Sequence, residues 1–307
     1  METDKPLVSI LLAIYKPNEK WLIEQLISLN EQSYENLELI VYDDCPENPV
    51  NEELFTSNIT NFSFKIIRGT ENKGSNIAFE ELTKMGNGEY FAYCDQDDIW
   101  EKDKIEKLID FIKVENAILA YSDMAVIDEK SKLIAQSLKE VRPRLQYIEG
   151  NLLYEKFFFR NCVAGCSMIV KADIARKALP FSKVTLHDQW ICIIASYYGK
   201  IAFLNTTLVK YRIHNDNQTR ILSGISSKND YYNSRVNILS IRSEELKKSI
   251  KNIKMNSIDE FCNARINKCT INILKYKNLS IQEAYFEIII KYIPRWLFIR
   301  IIKFIKK

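Results

Sequence analysis

Three carboxylates crowd into four positions at Asp95-Gln96-Asp97-Asp98, directly after the apolar run 90–94. Carboxylates this close repel one another, so such a cluster normally needs a cation beside it. Mg²⁺ and Mn²⁺ take oxygen ligands and typically combine one or two carboxylates with substrate phosphates. The pattern therefore favours a seat for a metal and a diphosphate. A helix N-cap is the alternative, with Asp97 or Asp98 preceding a helix that begins near Lys102.

Asp188 is a further acid that could take part in catalysis. It lies in the segment His187-Asp188-Gln189-Trp190, which begins an apolar helical run. One carboxylate within hydrogen-bond reach of a hydroxyl can take its proton as a general base. His187 is an alternative base, because its ordinary pKa of about 6.5 suits proton transfer. From spacing alone, Asp188 is also typical of a helix N-cap.

The elements that must position these groups are strands that alternate with helices through the first half of the chain. Apolar runs predict strands at 7–14, 37–42, 64–68 and 90–94, and helical spacing predicts a helix over 75–85. This rhythm is typical of a mostly parallel α/β sheet, whose ligands bind beyond the carboxyl ends of the strands.

All four predicted strand ends carry polar groups, at Tyr15-Lys16, Asp43-Asp44, 71–74 and 95–98. Capping explains each end singly but explains the whole set less well. Neither GxGxxG nor GxxxxGK[ST] occurs, which argues against a dinucleotide-binding site and a P-loop.

Composition limits the classes of function further. The formal net charge is only +3, too even for nucleic acid to be the main partner. The seven cysteines are odd in number and contain no CxxC pair, so we expect reduced thiols in the cytosol. The N-terminus lacks signal-peptide character, and no apolar run is long enough to span a membrane.

From about residue 226 the strand patterns cease and three long helices are predicted, over 231–254, 258–277 and 281–307. We therefore expect a catalytic domain over 1–225 and a helical region over 226–307.

The end of the helical region is apolar yet basic, with Arg300, Lys303 and Lys307 on one stripe opposite bulky apolar residues. This pattern predicts an amphipathic helix at a membrane surface, with Trp296, Phe298 and Phe304 entering the interface. Packing on the catalytic domain, or on a second copy in a homodimer, is the alternative.

The ordered motifs resemble those of family 2 glycosyltransferases, which have the GT-A fold. The matching segments, within residues 6–220, are Val8-Ser9-Ile10, Ala13-Ile14-Tyr15, Val41-Tyr42-Asp43-Asp44, Asn72-Lys73-Gly74, the run from Cys94 to Trp100, His187-Asp188-Gln189-Trp190 and Tyr211-Arg212-Ile213-His214. The run from Cys94 to Trp100 is similar to that of bacterial rhamnosyltransferases of cell-surface polysaccharide synthesis. The resemblance implies inverting, metal-dependent transfer from a nucleoside-diphosphate sugar to a glycan or lipid-linked glycan, at the inner face of the cell membrane.

The resemblance also implies roles for single residues on the donor side. Asp43 or Asp44 contacts the nucleotide base, Ile14 and Tyr15 line the nucleoside pocket, and Lys73 belongs to the nucleotide site. The ending Asp43-Asp44-Cys45-Pro46 departs from the commoner VDDGS. That departure leaves uridine and thymidine open, with dTDP-L-rhamnose as the expected donor and a UDP-hexose or UDP-N-acetylhexosamine as the alternative.

For the reacting centre, the resemblance places Asp95 near the ribose and gives Asp97 the metal, Mn²⁺ or Mg²⁺. His214 reaches the metal or the diphosphate, and Arg212 offers a second cation. Asp188 is the expected base, and His187 is an acceptor-site or orienting group. A nucleotidyltransferase and a non-catalytic carbohydrate-binding protein are the competing functions.

Overall fold

The computed structural model of the protein describes residues 5–214 and 224–305, and its centre is a nine-stranded sheet in the order β3-β2-β1-β4-β8-β6-β9-β5, with β7 paired to β6. The strands are β1 (Val8–Ile14), β2 (Leu37–Asp43), β3 (Ser63–Arg68), β4 (Tyr90–Cys94), β5 (Ile99–Trp100), β6 (Leu119–Ile127), β7 (Leu133–Ala135), β8 (Met168–Lys171) and β9 (Ile201–Arg212).

The four strands that the sequence predicts are the parallel part of this sheet. β1 pairs in parallel with both β2 and β4, and β2 pairs in parallel with β3. Ile14 lies opposite Asp43 and Leu12 lies opposite Cys94, so these strands end at one edge. β8 pairs with β4 in the antiparallel direction, while β6 and β9 are parallel. The predicted α/β class is confirmed.

Between residues 5 and 214, eight α-helices accompany the strands: α1 (Glu19–Asn30), α2 (Glu53–Asn58), α3 (Ser75–Met85), α4 (Lys104–Val114), α5 (Leu138–Val141), α6 (Tyr154–Phe159), α7 (Ala172–Lys177) and α8 (His187–Tyr198). The helix predicted over 75–85 is α3. The helix predicted near Lys102 is α4, and Asp103 precedes its first residue. The N-cap interpretation of Asp97 and Asp98 is therefore wrong, because neither residue lies at the helix terminus.

The chain separates into two compact units. The first contains the sheet and comprises described residues within 5–157, 161–181 and 186–214. The second comprises 158–160, 182–185 and the described residues from 224 onward. Ile225 is buried in an apolar cluster of the second unit with Tyr231 and Tyr232, so this unit begins before the predicted boundary at 226.

The second unit is helical, with no strand among its described residues: α9 (Lys228–Tyr231), a π-helical turn (Tyr232–Val236), α10 (Ile238–Ser249), α11 (Asn256–Ile266), α12 (Thr270–Lys275), α13 (Ile281–Tyr292) and α14 (Arg295–Ile305). The three predicted helices are thus divided further. Asn252 and Lys268 adopt positive φ, a conformation that ends helices, and Pro294 cannot donate to the preceding turn.

The sequence predicted that the whole apolar face of the terminal helix is exposed. The structure shows that part of this face is buried. Phe298 and Ile302 are buried in the second unit's core beside Ile290, whereas Trp296 and Phe304 are exposed. Phe298 therefore contributes to folding and not to an interface. Lys307 lies outside the described residues. Within the described segments, every helix is too short or too polar to cross a bilayer.

Candidate functional site

We call residues 95–98, which follow β4, the acid loop. A side chain that sequence reasoning did not single out joins this loop to the end of β1. The Gln96 amide accepts a hydrogen bond from the Tyr15 N–H at 2.8 Å and donates to the Tyr15 carbonyl at 3.1 Å. This reciprocal pair imitates the pairing of neighbouring strands. It fixes Asp95 and Asp97, on either side of Gln96, relative to the segment around Ile14 and Tyr15.

Asp97 and His214, which the sequence places 117 positions apart, meet at the end of β9. The His214 Nε2 atom lies 2.7 Å from Asp97 Oδ2. The Trp21 indole packs against the His214 ring with centroids 4.8 Å apart, and its Nε1 donates to the Glu129 carbonyl. The carboxylate is a ligand type that suits Mn²⁺ and Mg²⁺, and imidazole is the commonest metal-ligating side chain in proteins.

Arg212 connects the acid loop to neighbouring segments through hydrogen bonds. Its guanidinium is fully buried and donates to the carbonyls of Asp97 and Asp128, to Ser131 Oγ and to the Glu24 carboxylate, the last at 2.7 Å. The Arg212 backbone N–H also donates to Asp98 Oδ1 at 3.0 Å. The expectation that Arg212 supplies a cation to a diphosphate does not fit this placement, because the guanidinium is fully buried and its donors are engaged by protein acceptors. Arg212 positions the acid loop.

Asp98, the third acid, points inward. It is fully buried, and among the described residues its Oδ2 atom has no hydrogen-bond partner. Burial and the neighbouring Asp97 charge raise the pKa of Asp98. Asp95, Asp98 and Cys166 bring ligand atoms within 4.8 Å of one another. Burial raises the pKa of the Cys166 thiol, so this sulfur stays protonated and suits hydrogen bonding to Asp98 better than metal binding.

A buried lysine lies beneath the acids. Lys104, the first residue of α4, is fully buried over the Trp100 ring, and its ammonium has no hydrogen-bond partner in the described chain. Burial lowers the pKa of Lys104 to about 7, while Asp98 and Asp95 oppose that shift. Lys104 is therefore an internal group near the acids whose charge changes around neutral pH. A divalent ion suits the carboxylates of Asp95 and Asp97, which are only partly buried.

The acids at the end of β2 accept hydrogen bonds from backbone N–H groups and, at Asp43, also from the Arg68 side chain. Asp43 accepts from the Val50 N–H at 2.8 Å and pairs with the Arg68 guanidinium at 3.0 Å. Asp44 accepts from the N–H groups of Lys73 at 2.9 Å and Gly74 at 2.7 Å. Asp44 thereby holds the Asn72-Lys73-Gly74 turn beside the strand end. The Lys73 side chain is exposed.

Asp188 lies in the first turn of α8, where it is buried. The N-cap position belongs to Leu186, so the capping alternative for Asp188 is wrong in position, although its carboxylate accepts from the Gln189 N–H at 2.5 Å. Burial raises the pKa of Asp188 to about 6, opposed by hydrogen bonds from Gln189, Asn161 and Gly165. A carboxylate with this pKa is ionised at neutral pH and is a competent base.

The structure brings Asp188 close to the acid loop. Burial raises the pKa of Asp95 well above its ordinary range, and the negative charges of Asp98, Asp97 and Asp188 raise it further. Four acids from two distant parts of the sequence thus share one electrostatic environment. A bound cation would relieve their repulsion.

His187 is placed in the core instead of at an open surface. Its ring lies 3.9 Å from Phe79 and 5.4 Å from Tyr93, centroid to centroid, and burial lowers its pKa to about 3. A Cβ atom at Gly165 would lie 2.6 Å from His187 Nε2. The expected contact between His187 and an acceptor does not fit this placement. A base with so low a pKa is also weaker than Asp188.

The fold and the acid loop define a class of nucleotide-sugar enzyme, and comparison with known proteins identifies the family. The family described as "Glycosyl transferase family 2" matches residues 9–175. The chain belongs to this family of glycosyltransferases.

Two relatives and one solved structure illustrate what the chain is similar to. An uncharacterised glycosyltransferase of Methanocaldococcus jannaschii is 30% identical over 70% of this chain and 73% of its own length. The Escherichia coli UDP-Glc:alpha-D-GlcNAc-diphosphoundecaprenol beta-1,3-glucosyltransferase WfgD is 27% identical, over 68% and 78%. Residues 1–349 of TarS from S. aureus, in complex with UDP-GlcNAc, have the same fold, with a TM-score of 0.58 at 16% identity over 89% and 83%.

Proposed function

We propose that this glycosyltransferase moves a sugar with inversion from a nucleoside-diphosphate sugar to a hydroxyl of a lipid-linked or polymeric cell-surface glycan. The observation that carries the proposal is the meeting of Asp97 and His214 at 2.7 Å, with Asp188 near enough to the acid loop for its charge to raise the pKa of Asp95. Single-displacement inversion requires a base for the acceptor and a seat for the leaving diphosphate. The name of WfgD, which specifies a diphosphoundecaprenol acceptor, supports a lipid-linked substrate.

In this mechanism Asp188 accepts the proton of the acceptor hydroxyl. Asp97 and His214 would hold Mn²⁺ or Mg²⁺, with Asp95 beside them, and Gln96 and Arg212 keep the acid loop in position. The ion, when bound, neutralises charge that develops on the leaving diphosphate. The backbone at Ile14 and Tyr15, Asp43 or Asp44, and Lys73 line the nucleoside side. Lys73 is the exposed cation of that set.

Two donor classes remain in competition. The similarity of the acid-loop motif to rhamnosyltransferases favours dTDP-L-rhamnose. The UDP-sugars in the names of WfgD and the TarS complex favour a UDP-hexose or UDP-N-acetylhexosamine. We also propose that the enzyme works on the inner face of the cell membrane as a peripheral protein, where such acceptors are exposed.

A donor-hydrolysis screen tests the function. The purified protein is incubated with dTDP-L-rhamnose, UDP-glucose or UDP-GlcNAc, with Mn²⁺ or with EDTA, and nucleoside diphosphate release is measured. We expect one donor to be cleaved only with metal, and Asp97→Asn to abolish cleavage while the Asp103→Asn control, outside the loop, retains it. Metal-independent cleavage, or pyrophosphate release from nucleoside triphosphates, would contradict the proposal.

A further inference from the structure

An exposed apolar face runs across the helices of the second unit. On α13, Ile281, Tyr285, Ile289 and Tyr292 recur at intervals of four, four and three residues, so they share one side of the helix, and all four are exposed. Burial of the opposite side through Ala284, Glu287 and Ile290 accounts for the helix's folding. The exposed stripe does not contribute to that core.

Exposed apolar side chains also occur on the two neighbouring helices. The Lys291 ammonium, near the end of α13, donates to the Lys268 carbonyl and to Thr270 Oγ1 at the start of α12. Ile271, beside Thr270, is 79% exposed. Trp296, in the first turn of α14 and four residues after Tyr292, is 59% exposed. We call the surface of Ile271, Ile281, Tyr285, Ile289, Tyr292 and Trp296 the Tyr292 face.

Each aromatic ring of the Tyr292 face has a cation beside it. The Lys277 ammonium lies 5.5 Å from the Tyr285 ring centroid and donates to the Tyr285 hydroxyl at 3.1 Å. Lys291 lies 5.2 Å from the Tyr292 ring, and the Arg300 guanidinium lies 5.4 Å from the Trp296 ring. Each of these three exposed aromatic rings therefore has a basic group beside it.

The charge of this region is strongly one-sided. Between residues 268 and 305 there are seven basic residues and two acids, Glu283 and Glu287. Glu287 is buried and paired with Arg265 at 2.6 Å, so its charge is neutralised internally. The Glu283 carboxylate accepts from the Ser280 hydroxyl. The Tyr292 face is apolar, contains tyrosine and tryptophan, and has lysine and arginine beside it. Such a surface is complementary to an anionic lipid surface.

We infer that the Tyr292 face is the surface by which this protein binds an anionic lipid bilayer, with its aromatic and aliphatic side chains among the headgroups and Lys277, Lys291 and Arg300 on lipid phosphates. The interface predicted from sequence placed Trp296, Phe298 and Phe304 in the membrane, whereas Phe298 is buried and the exposed residues of α13 belong to the surface inferred here. Only the purpose of membrane binding rests on the proposed function: it would bring the enzyme to lipid-linked acceptors, which lie in the bilayer surface.

Vesicle sedimentation without donor or metal tests the inference independently of transfer activity. We expect the full chain to sediment with vesicles of phosphatidylglycerol and phosphatidylcholine, and not with phosphatidylcholine alone, and binding to weaken as salt rises. The triple variant Tyr285→Ser, Ile289→Ser, Tyr292→Ser should lose binding. Lys277→Gln with Arg300→Gln should weaken it by about 30-fold, from the attraction of two basic residues.

A matched control comes from α10, where Ile241 is also exposed and basic residues follow it. Ile241→Ser with Lys248→Gln should leave vesicle binding, the circular dichroism melting curve and donor hydrolysis unchanged. Equal vesicle binding by the control and by both face variants would overturn the inference. So would a dimer, measured by analytical ultracentrifugation, that only the triple variant dissociates, because a second copy would then cover the face. If the triple variant fails to fold, the charge variant decides.

Discussion

At the scale of single residues, Asp188 and His187 are neighbours whose environments separate their chemistry. Both are buried, yet burial moves the two pKa values in opposite senses: upward to about 6 for the carboxyl and downward to about 3 for the imidazole. At neutral pH the carboxylate is charged and basic, whereas the imidazole is neutral and weakly basic. The adjacent residues therefore divide into one reactive group and one packing group.

The pH dependence of transfer follows from Asp188. Below a pH of about 6 its carboxylate is protonated and cannot accept a proton, so we expect kcat/KM to fall tenfold per pH unit below that value. Asp188→Asn should keep near-normal donor affinity and lose about 10²–10⁴-fold in transfer rate. The measurements are a pH–rate profile and isothermal titration with the donor nucleotide.

His187→Gln is the control, since a group with a pKa near 3 contributes no limb at pH 6. Its profile should keep the same acid limb, even if the rate is lower. Wild-type transfer by Asp188→Asn would move the base to another residue.

At the scale of elements, the ends of β4 and β9 are joined through one buried side chain. Arg212 connects the loop after β4 to α1 through Glu24 and to the turn after β6 through Asp128 and Ser131. Four segments thus meet at one guanidinium. The geometry of Asp97 depends on donors that a lysine ammonium cannot reproduce, because it lacks the planar fork.

Arg212→Lys should therefore weaken metal binding more than its retained charge suggests. We expect a loss of about 10–100-fold in Mn²⁺ affinity, the usual range for residues that orient metal ligands. Mn²⁺ binding is measured by electron paramagnetic resonance with UDP or dTDP present, and stability by denaturant unfolding.

The control for this variant is Lys210→Gln on the same strand, since the Lys210 pair with Glu101 is exposed. It should change neither measurement. If Arg212→Lys unfolds at lower denaturant but binds Mn²⁺ normally, Arg212 stabilises the fold and does not position Asp97.

The sequence predicted the parallel strands and the opening of α8 well, since continuous apolar runs and helical spacing are local signals. The direction in which the Arg212 side chain points cannot be predicted from local signals, because it depends on how β9 pairs with β6. The pairing of β6 with β9 shifts register around Asp123, and a one-residue shift moves a strand's side chains to the opposite face. The roles of Gln96, Glu24 and Lys104 likewise depend on contacts between distant segments, which periodicity does not reveal.

At the scale of the whole molecule, ligand binding should raise thermal stability through coupling to the folded state. With Mn²⁺ and its preferred nucleoside diphosphate at about 100 times Kd, the protein should gain about 2.7 kcal/mol. For a chain of this size that corresponds to a rise in Tm of about 5 °C. UDP, dTDP and GDP are compared by differential scanning fluorimetry.

Removal of the metal with EDTA should abolish most of this rise, because the diphosphate would then face the uncompensated acids of the loop. Asp97→Asn should respond weakly to Mn²⁺ and nucleotide together. An equal rise for every nucleotide, with or without metal, would indicate binding away from the acid loop.

The reciprocal amide pair between Gln96 and Tyr15 has a consequence for engineering. The Gln96 side chain joins by hydrogen bonds the segment that would recognise the base to the loop that would bind the ion. Asp44 connects the turn at Gly74 to the same edge of the sheet. Loop exchange with a homologue would therefore break interactions unless both partners are transplanted together. Directed evolution toward a new donor should accumulate compensating substitutions at Gln96, and libraries that randomise positions 15 and 96 jointly should yield more active variants than libraries that randomise either alone.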